Sequence, residues 1–302
     1  MAACPKSQFF RRVGAHVRLL GLLLLLGGVS SASACSRPGV LGDFRSVSLG
    51  QSNDGRILRP RRMPNFGKGF KTPRAWRQRG NRYGTEELID MVSRAGANVR
   101  SQSRRSLLGV ADLSPKKGGA TMWHRSHHSG RDVDLIFYSV DEQGKAMAPP
   151  ELQMVPFDAK GKPIPPELGK EFEADWAQRR FDTKRNWLLV ESLLSDPEVR
   201  VQWIFVSDGL RARLLSWARK RKRPQWVIEF ASRVMYQPGR KAPHNDHFHV
   251  RIYCTRADRA QGCVDTGPVW QHEKKTYKYG GREAYDARWD RMPAPPVFLS
   301  IR

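Results

Sequence analysis

Of the eight histidines in this 302-residue chain, six fall in two short windows. The first reads His124-Arg125-Ser126-His127-His128-Ser129-Gly130-Arg131-Asp132-Val133-Asp134, and the second His244-Asn245-Asp246-His247-Phe248-His249-Val250-Arg251. Imidazole and carboxylate are the ligand types that hold a borderline divalent ion such as zinc, so metal chemistry is the first reading. On a strand, side chains alternate, so His247, His249 and Arg251 share one face while Phe248, Val250 and Ile252 share the other. The apolar set must face a core. Both imidazoles then look into a cleft, with their roots roughly 6–7 Å apart. One can bind an ion while its neighbour reaches the water beside it.

His127 and Asp134 are seven residues apart with Gly130 between them. Glycine permits a sharp turn, so a loop histidine and a strand-start aspartate can converge on one ion. Asp134 heads the apolar run Leu135-Ile136-Phe137, where an unpaired carboxylate is costly to bury. A cation removes that cost. Together His127, Asp134 and His249 offer two nitrogens and one oxygen, a set suited to one zinc with an open fourth position. A lone histidine would read as a surface residue. Two compact clusters, each beside a predicted strand, reverse that preference.

Positioning these groups takes a mixture of helices and short strands. From Thr85 the spacing of Leu88, Ile89, Met91 and Val92 predicts a helical face before Gly96. Residues 133–140 read as a buried strand, 186–194 as a helix, 201–206 as a strand, 210–219 and 225–235 as helices, and 247–253 as an alternating strand. No regular βαβ beat is present. The expected class is α+β: a small antiparallel sheet carrying the zinc site, flanked by helices, with long irregular surface segments. The expected organisation is a signal peptide over 1–34, a basic and largely irregular segment over 35–84 packed on the domain, a metallopeptidase domain over 85–265, and a polar, partly ordered tail over 266–302.

The formal charge of +24 calls for polyanionic partners. Lys6, Arg11, Arg12 and Arg18 precede a leucine-rich core from Leu19 to Val29, and Ala32-Ser33-Ala34 follows as a small-residue cleavage signal. That layout is a secretory signal peptide, and the core is short for a permanent membrane anchor. Between Arg56 and Arg82 stand ten basic residues and no acid, interleaved with Phe66, Phe70 and Trp76. With Arg219–Arg223, this run would also suit a nucleic-acid binder or a zinc nuclease. An exported chain meets envelope polymers before a genome, so no nucleic acid is expected as a partner. Of the four cysteines, Cys4 leaves with the signal, and Cys254 and Cys263 are close enough for a short-loop disulfide in an oxidising compartment. Cys35 would stand at the new N-terminus, where it either carries a lipid that attaches the chain to a membrane, stays a free thiol, or pairs with another chain.

Both windows resemble those of the penicillin-insensitive murein endopeptidases, part of the larger superfamily of lysostaphin-type, D-Ala-D-Ala-cleaving and hedgehog-like zinc domains. The family pattern His-x-Ser-His-x-x-Gly-x-Asp-Val-Asp is met from His124 to Asp134, and His-x-x-His-x-His-Val-Arg from His244 to Arg251. Cys254 falls where that family has a cysteine, and a looser likeness extends over about residues 46–265. The resemblance implies that His127, Asp134 and His249 hold the zinc. It implies that His247 is the general base or transition-state stabiliser, with His244 assisting and His124, Ser126 and Arg251 lining the cleft. Some relatives have a further metal site, but Asp158 to Lys162 contains no histidine here, so one zinc per chain is expected. The implied substrate is peptidoglycan, at the D-Ala–meso-diaminopimelate bridge, cleaved in the periplasm. No Ser-x-x-Lys with a partner Lys-Thr-Gly is apparent, so β-lactams should not acylate the chain. Two alternatives remain: a D,D-carboxypeptidase or dipeptidase of the same superfamily, whose members usually place a glutamate where His247 stands, and a non-catalytic wall- or polyanion-binding protein with a structural metal.

Overall fold

Seven strands form one mixed sheet in the computed structural model, which describes residues 45–166, 175–239 and 243–270, all within the unit Phe44–Arg302. Across the sheet the order is Met235–Tyr236, Val201–Phe205, His247–Ile252, Asp132–Ile136, Leu108–Val110, Phe70–Lys71 and Phe66–Gly67. The class is α+β, as the alternation of helical and strand periods predicts. The four strands from Val201–Phe205 to Leu108–Val110 are antiparallel neighbours, while Met235–Tyr236 runs parallel to Val201–Phe205 and Phe70–Lys71 parallel to Leu108–Val110. Those added pairs make the sheet larger and more mixed than the small antiparallel one expected.

Alternation along His247–Ile252 does what the sequence predicts. Phe248, Val250 and Ile252 are buried, as are Val133 and Leu135 on the paired strand, and all join one apolar core with the helices Glu86–Gln102, Thr183–Leu194, Asp208–Lys220 and Gln225–Val234. Burial of this apolar face is the main stabilising term, at about 25 cal/mol per Å².

The Glu86–Gln102 helix starts after Thr85 with Glu86 and Glu87 in its first turn, where carboxylates favour the positive end of the helix dipole. It buries Leu88, Ile89, Met91 and Val92, then runs six residues past Gly96. Gly96 serves close approach: a Cβ there would meet the Gly69 carbonyl oxygen at 3.2 Å. The run 133–140 does not stay one strand. The Asn186 side chain accepts from the Tyr138 N–H at 2.9 Å and donates to the Tyr138 carbonyl at 2.8 Å. Asn186 thereby takes over the bonds a neighbouring strand would make, and Ser139–Val140 leaves the main sheet to pair with Arg180–Phe181.

The basic segment before residue 84 is woven into the domain. Val47–Gly50 and Gly55–Leu58 form a hairpin, and Phe66–Gly67 and Phe70–Lys71 complete one edge of the main sheet. The segment expected to be largely irregular carries short strands, two to four residues long and too short to show alternation. At the other end, Cys254 and Cys263 are joined in a disulfide that closes a loop around the Arg256–Ala260 helix. The first residues of the expected tail are packed: Trp270 is buried and its Nε1 donates to the Gln202 carbonyl at 2.7 Å. The signal segment 1–34, Cys35 and residues 271–302 lie outside the described residues. Among the described residues no helix is long and apolar enough to cross a membrane.

Candidate metal centre and active site

Strand register brings the two windows together. In the antiparallel pair, His249 stands directly opposite Asp134 and Arg251 opposite Asp132, so all four side chains share the polar face. Phe205 flanks His249 from the other side in the next strand. The first window reaches the same point from a loop. His127 has φ +70°, in the left-handed region that a non-glycine residue adopts at a conformational cost. Gly130, at φ +78°, completes the turn: its N–H donates to Ser114 Oγ and its carbonyl accepts from Thr85. A Cβ on Gly130 would lie 2.3 Å from Ile57 Cδ1. Gly130→Ala is therefore expected to destabilise the fold by about 1–3 kcal/mol. Denaturant unfolding measures this, and an unchanged midpoint would refute the turn's dependence on glycine.

Asp134 is the centre of the cluster. Its Oδ1 lies 3.3 Å from His127 Nε2, 3.4 Å from His249 Nδ1 and 3.4 Å from His247 Nε2, and its Oδ2 lies 3.7 Å from His124 Nδ1. Each ring is held by its other nitrogen. His127 Nδ1 donates to the Leu113 carbonyl at 3.0 Å, His249 Nε2 to Asp132 Oδ1 at 2.7 Å, His247 Nδ1 to Asp246 Oδ1 at 2.6 Å, and His124 Nε2 to Asp112 Oδ2 at 3.1 Å. Carbonyls and carboxylates cannot donate, so the proton sits on the nitrogen that faces them. The lone pairs are left pointing inward.

That arrangement fits a divalent cation. Both Asp134 oxygens and His127 Nε2 are buried with no hydrogen-bond partner, which is costly unless an ion satisfies them. Burial pushes the Asp134 carboxyl up, but the neighbouring His127 and His247 win and hold it well below the usual range. Burial likewise pushes His127 and His247 down, and the carboxylates win again: Asp134 raises both, and Asp246 adds to the rise at His247. Burial lowers His249 to about 3, which keeps it a neutral ligand. The field therefore asks for positive charge beside Asp134, and a bound cation would supply it. Orienting each ligand through an outer carboxylate or carbonyl is the usual design of a metal site.

Depth divides the four rings. His127 is fully buried and the His249 side chain is 7% exposed, whereas His247 and His124 are 16% and 18% exposed. The deep pair suits ligation, and His247 on the open side suits contact with a reactant. His244 has φ +48° and places its ring 5.1 Å from His247 and 5.6 Å from His249. Nitrogens of His244, His247 and His249 also lie within 4.8 Å of one another, as do ligand atoms of His124, His127 and Asp134. Arg251 donates from Nε to Asp132 Oδ1 at 2.7 Å and lies over the Phe205 ring. Ser126 sits half-buried on the loop and, among the described residues, makes no hydrogen bond to the cluster.

Three carboxylates had no assigned role at the level of sequence. Asp132 and Asp246 lie inside the windows, and the i, i+2 spacing already puts Asp132 on the face of Asp134. Asp112 lies in no motif and has no local signal; only the fold brings it under His124.

The chain is similar to known proteins over most of its length. The family model described as "Penicillin-insensitive murein endopeptidase" matches residues 48–279. A protein of Haemophilus influenzae with that name is 26% identical over 228 residues, 75% of this chain and 70% of its own length. One from Klebsiella pneumoniae subsp. pneumoniae, again so named, is 24% identical over 256 residues, 83% of this chain and 82% of its own.

Proposed function

The chain belongs to the penicillin-insensitive murein endopeptidase family, and from that premise we propose that it is a zinc-dependent peptidoglycan endopeptidase. The observation that carries this reading is a buried Asp134 whose oxygens lack a hydrogen-bond partner, ringed by imidazole nitrogens, with a more open histidine beside it. His127 Nε2, Asp134 and His249 Nδ1 would hold the zinc, which when bound supplies Lewis acidity that polarises a carbonyl and acidifies water. His247 presents Nε2 toward the same point while Asp246 holds its Nδ1 proton. Nε2 would accept a proton from attacking water and later deliver one to the leaving amine. His244, beside it, would support the developing oxyanion. Among the described residues His247 has no serine or cysteine partner to activate. The reaction would then be direct hydrolysis without an acyl-enzyme, so β-lactams should not inhibit it.

The substrate we assign is the D-Ala–meso-diaminopimelate cross-link, and the place of action the periplasm, reached through the signal peptide. A lipid on Cys35 would anchor the chain there. The basic surface would hold the anionic wall through a field with little sequence specificity.

Purified sacculi digested with the protein should lose cross-linked dimers and gain monomers on mass spectrometry. A chelator should abolish this and added zinc restore it, with penicillin having no effect. Release of terminal D-Ala from uncross-linked stems, with dimers intact, would instead identify a carboxypeptidase. Binding to sacculi without any cleavage would leave only a wall-binding module.

A further inference from the structure

The basic segment delivers a guanidinium to the rim of this site. Arg79, at the end of the Arg74–Arg79 helix, lies 4.4 Å from the Trp123 ring centroid and 5.5 Å from that of Trp76. Its Nη1 donates to Asp112 Oδ2 at 2.9 Å, the same buried oxygen that accepts from His124 Nε2. One carboxylate and one imidazole therefore separate Arg79 from Asp134. The backbone of Trp123 is held by a turn. Its N–H donates to Thr121 Oγ1 at 3.1 Å, and Thr121 and His124 bridge across the turn. Yet its ring is 52% exposed, and Met122 beside it is 87% exposed.

Steadying Asp112 takes a single N–H, which a lysine could supply. A guanidinium has five donors in a rigid fork suited to carboxylates. Among the described residues Asp112 is the one hydrogen-bond partner of Arg79, whose side chain is 30% exposed. Arg79 belongs to a run of ten basic residues from Arg56 to Arg82 that contains no acid. An aromatic-walled, preoriented and partly open guanidinium is built to receive an anion with an attached carbon chain.

We propose that Arg79 reads a free carboxylate of the bound stem peptide, with Trp123 packing against the chain that bears it. This rests on the murein-peptide reading, since stem peptides carry free carboxylates close to the cross-link. It makes Arg79 a specificity residue rather than one that touches the reacting atoms.

The test is binding of the uncross-linked disaccharide tetrapeptide, which offers no bridge to cut, against the same compound with its carboxylates converted to carboxamides. Titration calorimetry on the intact metal-loaded protein should give at least tenfold tighter binding of the carboxylate form. Arg79→Gln should bring that form to the level of the carboxamide and leave the carboxamide within twofold of the parent value. If Arg79→Gln does not fold, Arg79→Lys decides. It keeps the ion pair with Asp112 but not the fork, so a several-fold loss of discrimination supports the proposal and full retention overturns it. A parent protein without discrimination, or an Arg79→Gln variant that weakens both forms alike, also overturns it. The parent's action on cross-linked dimers is measured separately, so failure of the peptidase reading shows as carboxylate-selective binding without cleavage.

Discussion

Asp134→Asn is expected to abolish hydrolysis and metal retention together while leaving the chain folded, at a modest cost to the stability of the metal-free protein. Changing an outer partner of a metal ligand costs about 10–100-fold in affinity, so losing the shared anionic ligand should cost on the order of a hundredfold or more. The stability side follows from burial. Asp134 is 1% exposed, and both its oxygens lack a hydrogen-bond partner. Without a cation, His127 and His247 compensate its charge, so the neutral amide gives up a favourable pairing in the metal-free protein. The metal-free variant should therefore melt somewhat below the metal-free parent, and zinc should no longer raise its melting temperature. Metal analysis and thermal unfolding with and without zinc read both halves. A variant that unfolds regardless of metal would mean that Asp134 serves the fold rather than the ion.

His247→Ala should separate what Asp134→Asn joins. His247 is more exposed than His127 or His249, and its Nδ1 is held by Asp246 rather than by the sheet strands. Removing a proton-transfer group typically costs 10²–10⁴ in rate, so turnover should fall by about that factor. Zinc content should stay within a few-fold of the parent, because His127, Asp134 and His249 keep their outer partners Leu113 and Asp132. Zinc loss equal to that of His127→Ala would make His247 a ligand and contradict the division of roles.

How far the sequence carried depended on whether a signal was local. The face shared by His247, His249 and Arg251 was legible because strand alternation has a period of two and the opposite residues are all apolar. The convergence of His127 on Asp134 was legible because the two are only seven positions apart with a glycine between them. The class and most helices were legible from apolar spacing. Asp112 was not, because its partners His124 and Arg79 arrive from separate segments and no spacing links them. The edge strands at Phe66–Gly67 and Phe70–Lys71 were hidden because two-residue pairings have no periodicity. The break after Ile136 was hidden too, since it is imposed by Asn186, some fifty positions away. Gly96 read as a boundary because its reason, the approach of Gly69, is tertiary.

Anomalous X-ray diffraction at the zinc edge, from crystals of the metal-loaded protein, tests the central claim most directly. A single strong peak is expected, enclosed by His127 Nε2, Asp134 and His249 Nδ1, with His247 turned toward it but outside its ligand shell. A peak bound instead by His244, His247 and His249, or no peak between the two windows, would contradict it.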